Sequence, residues 1–234
     1  MSVGFAAGVI EARAGLNESA AEILIAEANH RIANNLMVIA SLTRLQASSL
    51  EQLGRPIEAN EARQVLREAG TRIETVSMLH RLLAEVGRGR MLELTAYVKK
   101  ISVAVVASMS VGERLELRHT STEACLIRPE QAMPIGLIVC ELVTNAIKHA
   151  HPAGAWGTIA VDCQRLADGR LRLEISDDGV GLPQGLDPNR DGDIGFRVLR
   201  SLAQQLNAGL AFVSNDFGLS VELLVPCEHM GELD

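Results

Sequence analysis

PEQAMPIGLIVCELVTNAIKHA, residues 129–150, reads as one long helix, and two strand-like runs follow it, TIAVDCQRL (158–166) and RLRLEISDDG (170–179). Ile135, Val139, Leu142 and Ala146 recur at helical spacing and form a side fit to pack on a sheet. Ala167-Asp168-Gly169 is turn chemistry, so the two strand runs form a pair. Outward from this centre, ELTAYVKKISVAVVASM (93–109) predicts a further helix, while RLELRHT (114–120) and EACLIRP (123–129) predict short strands. Beyond a Pro/Gly/Asp loop (183–193) come the helix IGFRVLRSLAQQL (194–206) and the strands GLAFVSN (209–215) and LSVELLVP (219–226). Runs of helix and antiparallel strand make an α+β sandwich rather than a parallel α/β sheet.

Upstream the pattern is helical only. Asn17-Glu18-Ser19 offers N-cap chemistry for a helix over about 19–52, with Ile25, Ala28, Ile32, Leu36, Ile39 and Thr43 on one stripe. The turn LGRPIEAN (53–60) leads to a second helix over about 58–87, its stripe being Val65, Ala69, Ile73, Val76, Leu79 (or His80) and Leu83. Two such helices form an antiparallel hairpin, and two copies side by side a four-helix bundle. GRGRM (87–91) reads as a hinge, so the predicted domains are a helical hairpin, 17–88, and an α/β sandwich, 92–226.

Composition narrows the function. Hydrophobic residues are 47% of the 234, enough for a core, but aromatic residues are 3%, with Trp156 and Tyr97 single, which argues against a base-stacking surface. The net charge of −7 falls entirely in the second part: residues 1–90 carry ten basic and ten acidic residues, residues 91–234 twelve and nineteen. No basic footprint for nucleic acid exists. Cys125, Cys140, Cys163 and Cys227 lack metal-ligand spacing and read as reduced core residues. Apolar runs such as ISVAVVASMSV (101–111) are too short to span a bilayer, and the first residues lack a basic signal region, so a cytoplasmic protein is expected.

Three polar constellations carry chemistry. In EANHRIANNLMVIASLTRLQA (27–47), His30 falls about 140° from the apolar stripe, with Glu27, Arg31 and Asn34 within one turn. A neutral imidazole is a nucleophile near neutral pH, and a nearby cation steadies an incoming phosphoryl group. Glu141, Asn145, Lys148 and His149 stand at i, i+4, i+7 and i+8 on one stripe of the 129–150 helix. Carboxylate and amide oxygens suit Mg²⁺, and Lys and His suit phosphates. ISDDGVGLP (175–183) ends a strand with Asp177, Gly179 and Gly181, where glycines admit a ligand close to the backbone and the carboxylate accepts a hydrogen bond from an adenine amino group. GDIGF (192–196) opens the helix bearing Arg197 and Arg200, and glycines at a helix N-terminus make a phosphate site.

HRIANNL, ELVTNAIKHA, DDGVGLP and GDIGFRVLRSLAQQL stand in the order of the H, N, G1 and G2 boxes of bacterial sensor histidine kinases. The chain resembles the subfamily in which His-Arg is followed by Asn-Asn, related to the HWE kinases, over residues 20–226. The resemblance implies a dimerisation and histidine-phosphotransfer hairpin followed by a Bergerat-type ATP-binding domain. It makes His30 the phosphoacceptor, with Arg31, Asn34 and Glu141 beside the chemistry. Asn145 and Glu141 would hold Mg²⁺; Lys148, His149, Asp177, Gly179, Gly181, Gly195 and Arg197 would bind ATP. The partners implied are a response regulator receiver domain, a second copy in a homodimer and a separate sensor or input protein, since residues 1–16 are too few to fold alone. The sequence departs from the family at Ala33, where Lys is common, and at Asp193, with Asp191 nearby. Those carboxylates keep a second reading open, a phosphotransfer or scaffold protein with weak ATP binding.

Overall fold

The computed structural model describes residues 58–84, 91–109, 114–151, 155–190 and 194–226, together with Met37, Ile39, Ala40, Thr43, Arg44, Ala47 and Ser48. Those seven are all helical, and Thr43 Oγ1 donates to Ile39 O at 2.9 Å. His30, Arg31, Asn34, Ala33, Asp191 and Asp193 lie outside the described residues, as does Cys227. By internal contacts the chain divides into Met1–Ala47 and Ser48–Asp234.

In the second unit, helix α1 (Ala59–Ala84) buries Val76 and Leu79. Its covered stripe runs through Val65, Ala69, Arg72, Val76, Leu79 and Leu83, in alternating steps of four and three. Ile73, expected on that stripe, is 47% exposed. A step of three from Ala69 lands on Arg72, and one residue more turns about 100° away from the seam.

A two-stranded ribbon of β1 (Leu92–Glu93) and β3 (Leu126–Ile127) brackets α2 (Leu94–Ser108). Glu93 caps α2, its carboxylate accepting from Thr95 N at 3.0 Å and Ala96 N at 2.6 Å. Helix α3 (Pro129–Asn145) begins with proline at its first turn, and Gln131 Oε1 accepts from Arg128 N at 3.0 Å. Gln131 Nε2 also donates to Pro226 O, tying the start of α3 to the end of the last strand. The remaining helix is α4 (Ile194–Gln205).

Strands β2 (Leu115–Ser121), β4 (Gly157–Arg165), β5 (Leu171–Asp177), β6 (Gly209–Asn215) and β7 (Gly218–Val225) form one sheet in the order β2-β4-β5-β7-β6. The pairings are antiparallel except β2 with β4, which is parallel. That exception has a topological cause: β3 and α3 intervene and supply the long crossover a parallel pair needs.

Alternation puts apolar rows on one sheet face. Val161, Ile175 and Val221 pair across three strands, as do Cys163, Leu173 and Leu223, and all six are buried. On the opposite face Arg172 bridges the row of Asp162, Glu174 and Glu222, its Nε meeting Glu222 at 2.6 Å. Helix α3 is central, with α1, α2 and α4 packed on it. It is apolar nearly all round because it is covered nearly all round: Ile135, Ile138, Val139 and Val143 are wholly inaccessible. Gly136 makes the close packing possible. A Cβ there would lie 2.6 Å from Tyr97 Oη of α2 and 2.8 Å from Leu79 Cδ2 of α1.

Candidate functional site

The end of β5, the end of α3, the loop after β5 and the first turn of α4 enclose a cavity of about 460 Å³. Its wall is mainly apolar, with Leu142, Leu182, Leu186, Phe196, Leu219 and Val221 among the lining residues, and Asn145, His149 and Asp177 supply polar groups.

Asp177 is held by the backbone. Its Oδ1 accepts from Gly179 N at 3.0 Å and from Leu219 N at 3.3 Å. The other oxygen, Oδ2, has no partner among the described residues. A carboxylate fixed through one oxygen presents the other to a ligand donor in a single orientation.

The glycines after it lie close against neighbouring backbone. A Cβ at Gly179 would stand 2.1 Å from Ala150 O, and Val180 N donates to that same carbonyl at 2.9 Å. Gly181, with φ +67°, leaves no room for a Cβ beside Asn215 O at 2.2 Å, and Leu182 N donates to Ser214 Oγ at 2.7 Å. These glycines let the loop lean on neighbouring backbone; Gly181 also lines the cavity, and Gly179 does not.

Helix α3 passes directly into a π-helical turn, Ala146–Ala150. The wider turn adjusts which residues face the cavity, and such turns recur at functional sites. Asn145, Ala146, His149 and Ala150 line the wall; Glu141 and Lys148 do not. Lys148 is exposed, while Glu141 faces α1, its Oε1 3.7 Å from Arg72 Nη2. In α4, Gly195 is buried and Arg197 Nη2 donates to Ser48 Oγ at 3.4 Å, both away from the cavity wall. The residue between them, Phe196, lines it, with its ring edge-on to Phe212 at 5.6 Å and 66°. Phe196 carried no signal in the sequence beyond its place on an amphipathic helix.

Behind the cavity, His151 Nε2 lies 2.6 Å from Asp178 Oδ1, which also accepts from Thr158 N at 2.7 Å. Desolvation would raise the Asp178 carboxyl, but the Thr158 amide and His151 outweigh it and hold it below the usual value. This latch joins the end of the π turn to β4 and the end of β5. Among the described residues the cysteines are buried core groups: burial first, then Glu141, pushes the Cys140 thiol up to about 12.

The cavity is of ordinary ligand size, apolar-walled, and supplied with one fixed acceptor. Residues 27–109 match the family model "Histidine kinase" and residues 112–215 the model "Histidine kinase-like ATPase domain". The chain is 27% identical over 213 residues to blue-light-activated histidine kinase 2 of Erythrobacter litoralis, covering 89% of this chain and 58% of that one. It is 29% identical over 212 residues to the sensor histidine kinase PdtaS of Mycobacterium tuberculosis, covering 89% and 40%. The chain therefore spans about half the length of these relatives. The solved structure of the Erythrobacter litoralis blue-light-activated histidine kinase EL346 superposes with a TM-score of 0.65 at 25% identity, over 82% of this chain and 58% of that one. No described helix is long and apolar enough to cross a membrane. With a phosphotransfer segment and an ATPase segment matched in sequence order, and a fold shared with a solved relative, the chain belongs to the histidine kinases.

Proposed function

We propose that this chain phosphorylates itself on His30 from ATP and passes the phosphoryl group to an aspartate of a response regulator. The observation that carries the nucleotide half is Asp177, a carboxylate pinned by two backbone amides on the wall of a 460 Å³ apolar cavity. Its free Oδ2 suits the amino group of adenine. Asn145 and His149 also line this cavity, Asn145 offering an amide oxygen for Mg²⁺ and His149 a group for the phosphates. Among the described residues there is no group of three His, Cys, Asp or Glu side chains fit for a metal ion. Mg²⁺ here would take most of its ligands from phosphates and water, as it commonly does. Gly195, Arg197 and Lys148 belong to this reading as groups near the phosphates rather than the base.

ATP supplies the γ-phosphoryl group. An imidazole nitrogen of His30 forms the new bond to phosphorus as the bond to the ADP oxygen breaks, with Arg31 and Asn34 beside it. Glu141, one turn before Asn145 on α3, would assist the transfer and share Mg²⁺ with Asn145. In this reading a hairpin, 17–88, carries the phosphoacceptor and a sandwich, 92–226, the nucleotide. The exposed Leu66 (72%) and Ile73 (47%), seven residues apart on α1, support a homodimer built on the hairpin. Input would come from a sensor or partner protein.

Incubation with γ-labelled ATP and Mg²⁺ tests the reading. Acid-labile label is expected on the parental protein and none on His30→Ala. Label that survives in that variant overturns the site, and calorimetry showing no Mg·ATP binding overturns the kinase in favour of a phosphotransfer scaffold.

A further inference from the structure

The strand order β2-β4-β5-β7-β6 leaves the sheet two edges, and they differ in how they are protected. Every second residue of an edge strand turns its N–H and C=O away from its one neighbour, where another chain can pair with them. Natural edges are blunted by charge, proline or a bulge. Edge β2, LELRHTS (115–121), follows that rule: it carries His119 and also Glu116 and Arg118, joined by hydrogen bonds of 2.8 and 2.7 Å. Edge β6, GLAFVSN (209–215), has neither charge nor proline. It also has no bulge, since its register with β7 runs unbroken from Gly209–Leu224 to Asn215–Gly218. Gly209, Ala211 and Val213 are exposed, Val213 at 64%. Phe212 turns the other way, edge-on to Phe196 of α4. In the turn after β6, Phe217 is 85% exposed, and Val180 is exposed in the loop that leans on Ser214 and Asn215. These apolar side chains extend the open edge rather than guard it.

The pattern of β6 matches itself. Antiparallel pairing of two β6 strands about a two-fold axis at Phe212 sets Phe212 opposite its own copy, Ala211 opposite Val213, Leu210 opposite Ser214 and Gly209 opposite Asn215. The nearest carboxylate, Asp216, falls opposite Ala208, so no charge meets a like charge. The same operation on β2 would set Arg118 against Arg118. We propose that β6 is a self-association edge, through which two copies of this chain join their five-stranded sheets side by side. This surface is distinct from the α1 contact of Leu66 and Ile73, and it stands whether or not the chain phosphorylates itself. A chain with two unlike self-pairing surfaces can build assemblies larger than a dimer.

Hydrogen exchange of the full chain, compared between dilute and concentrated samples, reads the edge directly. Peptides over 209–215 should exchange at least about tenfold more slowly in the concentrated sample, as outward amides gain partners. Ala211→Lys/Val213→Lys sets Lys opposite Lys across the axis. It should remove that slowing and lower the mass seen by sedimentation, with the melting temperature near parental because both positions are exposed. Ala211→Lys/Val213→Glu sets Lys opposite Glu and should restore association, now weakened by salt. That variant also decides the matter if the double lysine does not fold. Exchange at 209–215 that ignores concentration overturns the proposal, and association in that case belongs to the α1 contact. Slow exchange there at every dilution overturns it too, because a segment of the same chain or a co-purified peptide then holds the edge. Concentration-dependent slowing at 115–121 alone places the contact on β2 and overturns it as well. A Lys/Glu variant that associates no better than the double lysine overturns the antiparallel two-fold pairing.

Discussion

Asp177 has one oxygen committed to Gly179 N and Leu219 N and one left for a ligand. Asp177→Asn keeps an acceptor for those amides but turns a donor toward the purine amino group. Loss of a charged hydrogen bond costs about 1.5–3 kcal/mol, so ATP affinity should fall roughly ten- to hundredfold by calorimetry, with melting temperature little changed. Gly218 packs against the backbone of the same residue. Its φ is +134°, and a Cβ there would stand 1.9 Å from Asp177 O. Gly218→Ala should cost more than about 2 kcal/mol in urea denaturation and weaken ATP as well, since both strain and overpacking act on one turn. At this scale the D-x-G-x-G spacing was visible in sequence, but the reasons for its glycines were not. Gly179 and Gly181 make room for the backbones of Ala150 and Asn215, neighbours that only the fold supplies. Phe196 was missed for the same reason: nothing in GDIGF marks which residue will face a cavity.

The elements were legible wherever a period ran long enough. The runs read as strands at 158–166, 170–179, 209–215 and 219–226 correspond to β4, β5, β6 and β7, and the helices read at 58–87, 93–109, 129–150 and 194–206 to α1 through α4, while most of the helix expected over 19–52 lies outside the described residues. Two features were not legible. The π turn at Ala146–Ala150 continues a helical pattern without a break in composition, so periodicity of 3.6 passes over it. Arg72 was passed over because a stripe counted by apolar residues selects Ile73 instead. Gly136, Leu79 and Tyr97 give this scale its prediction. Gly136→Ala should cost about 1–3 kcal/mol by pushing on both neighbouring helices. Leu79→Ala alone should cost about 2–5 kcal/mol, the range for a wholly buried leucine. Combined, the two should cost less than their sum by at least about 0.5 kcal/mol, because the shortened side chain makes room for the new methyl group. Strict additivity in urea denaturation would mean that α1 and α3 do not meet at Gly136.

The whole molecule has a stability profile set at its acid and alkaline ends by different groups. On the acid side, burial, with Lys99 nearby, lowers the His119 pKa from 6.5, and its Nε2 is buried without a partner. The Asp178 carboxyl is also held down, from 3.8. Both groups bind protons more readily when unfolded, so their contribution is present above the unfolded values and is lost as pH falls through about 6.5 and then 3.8. On the alkaline side the sign reverses. Burial pushes the Cys140 and Cys163 thiols from 9.0 up to about 12, and it raises the Tyr97 phenol too. Their contribution is complete below the unfolded values and is lost as pH rises toward the folded ones, because the unfolded thiols ionise first. A plateau between about pH 6.5 and 9 follows, with losses on both flanks. Above pH 9 each thiol should remove about 1.4 kcal/mol per pH unit. Urea midpoints from pH 7 to 11 would trace this fall, and replacing Cys140 and Cys163 together by Val should flatten it, whatever the pair costs at neutral pH. An alkaline slope unchanged in that double variant would move the cause to Tyr97 or to the charge of the acidic second part, and Cys140 and Cys163 would have no share in it.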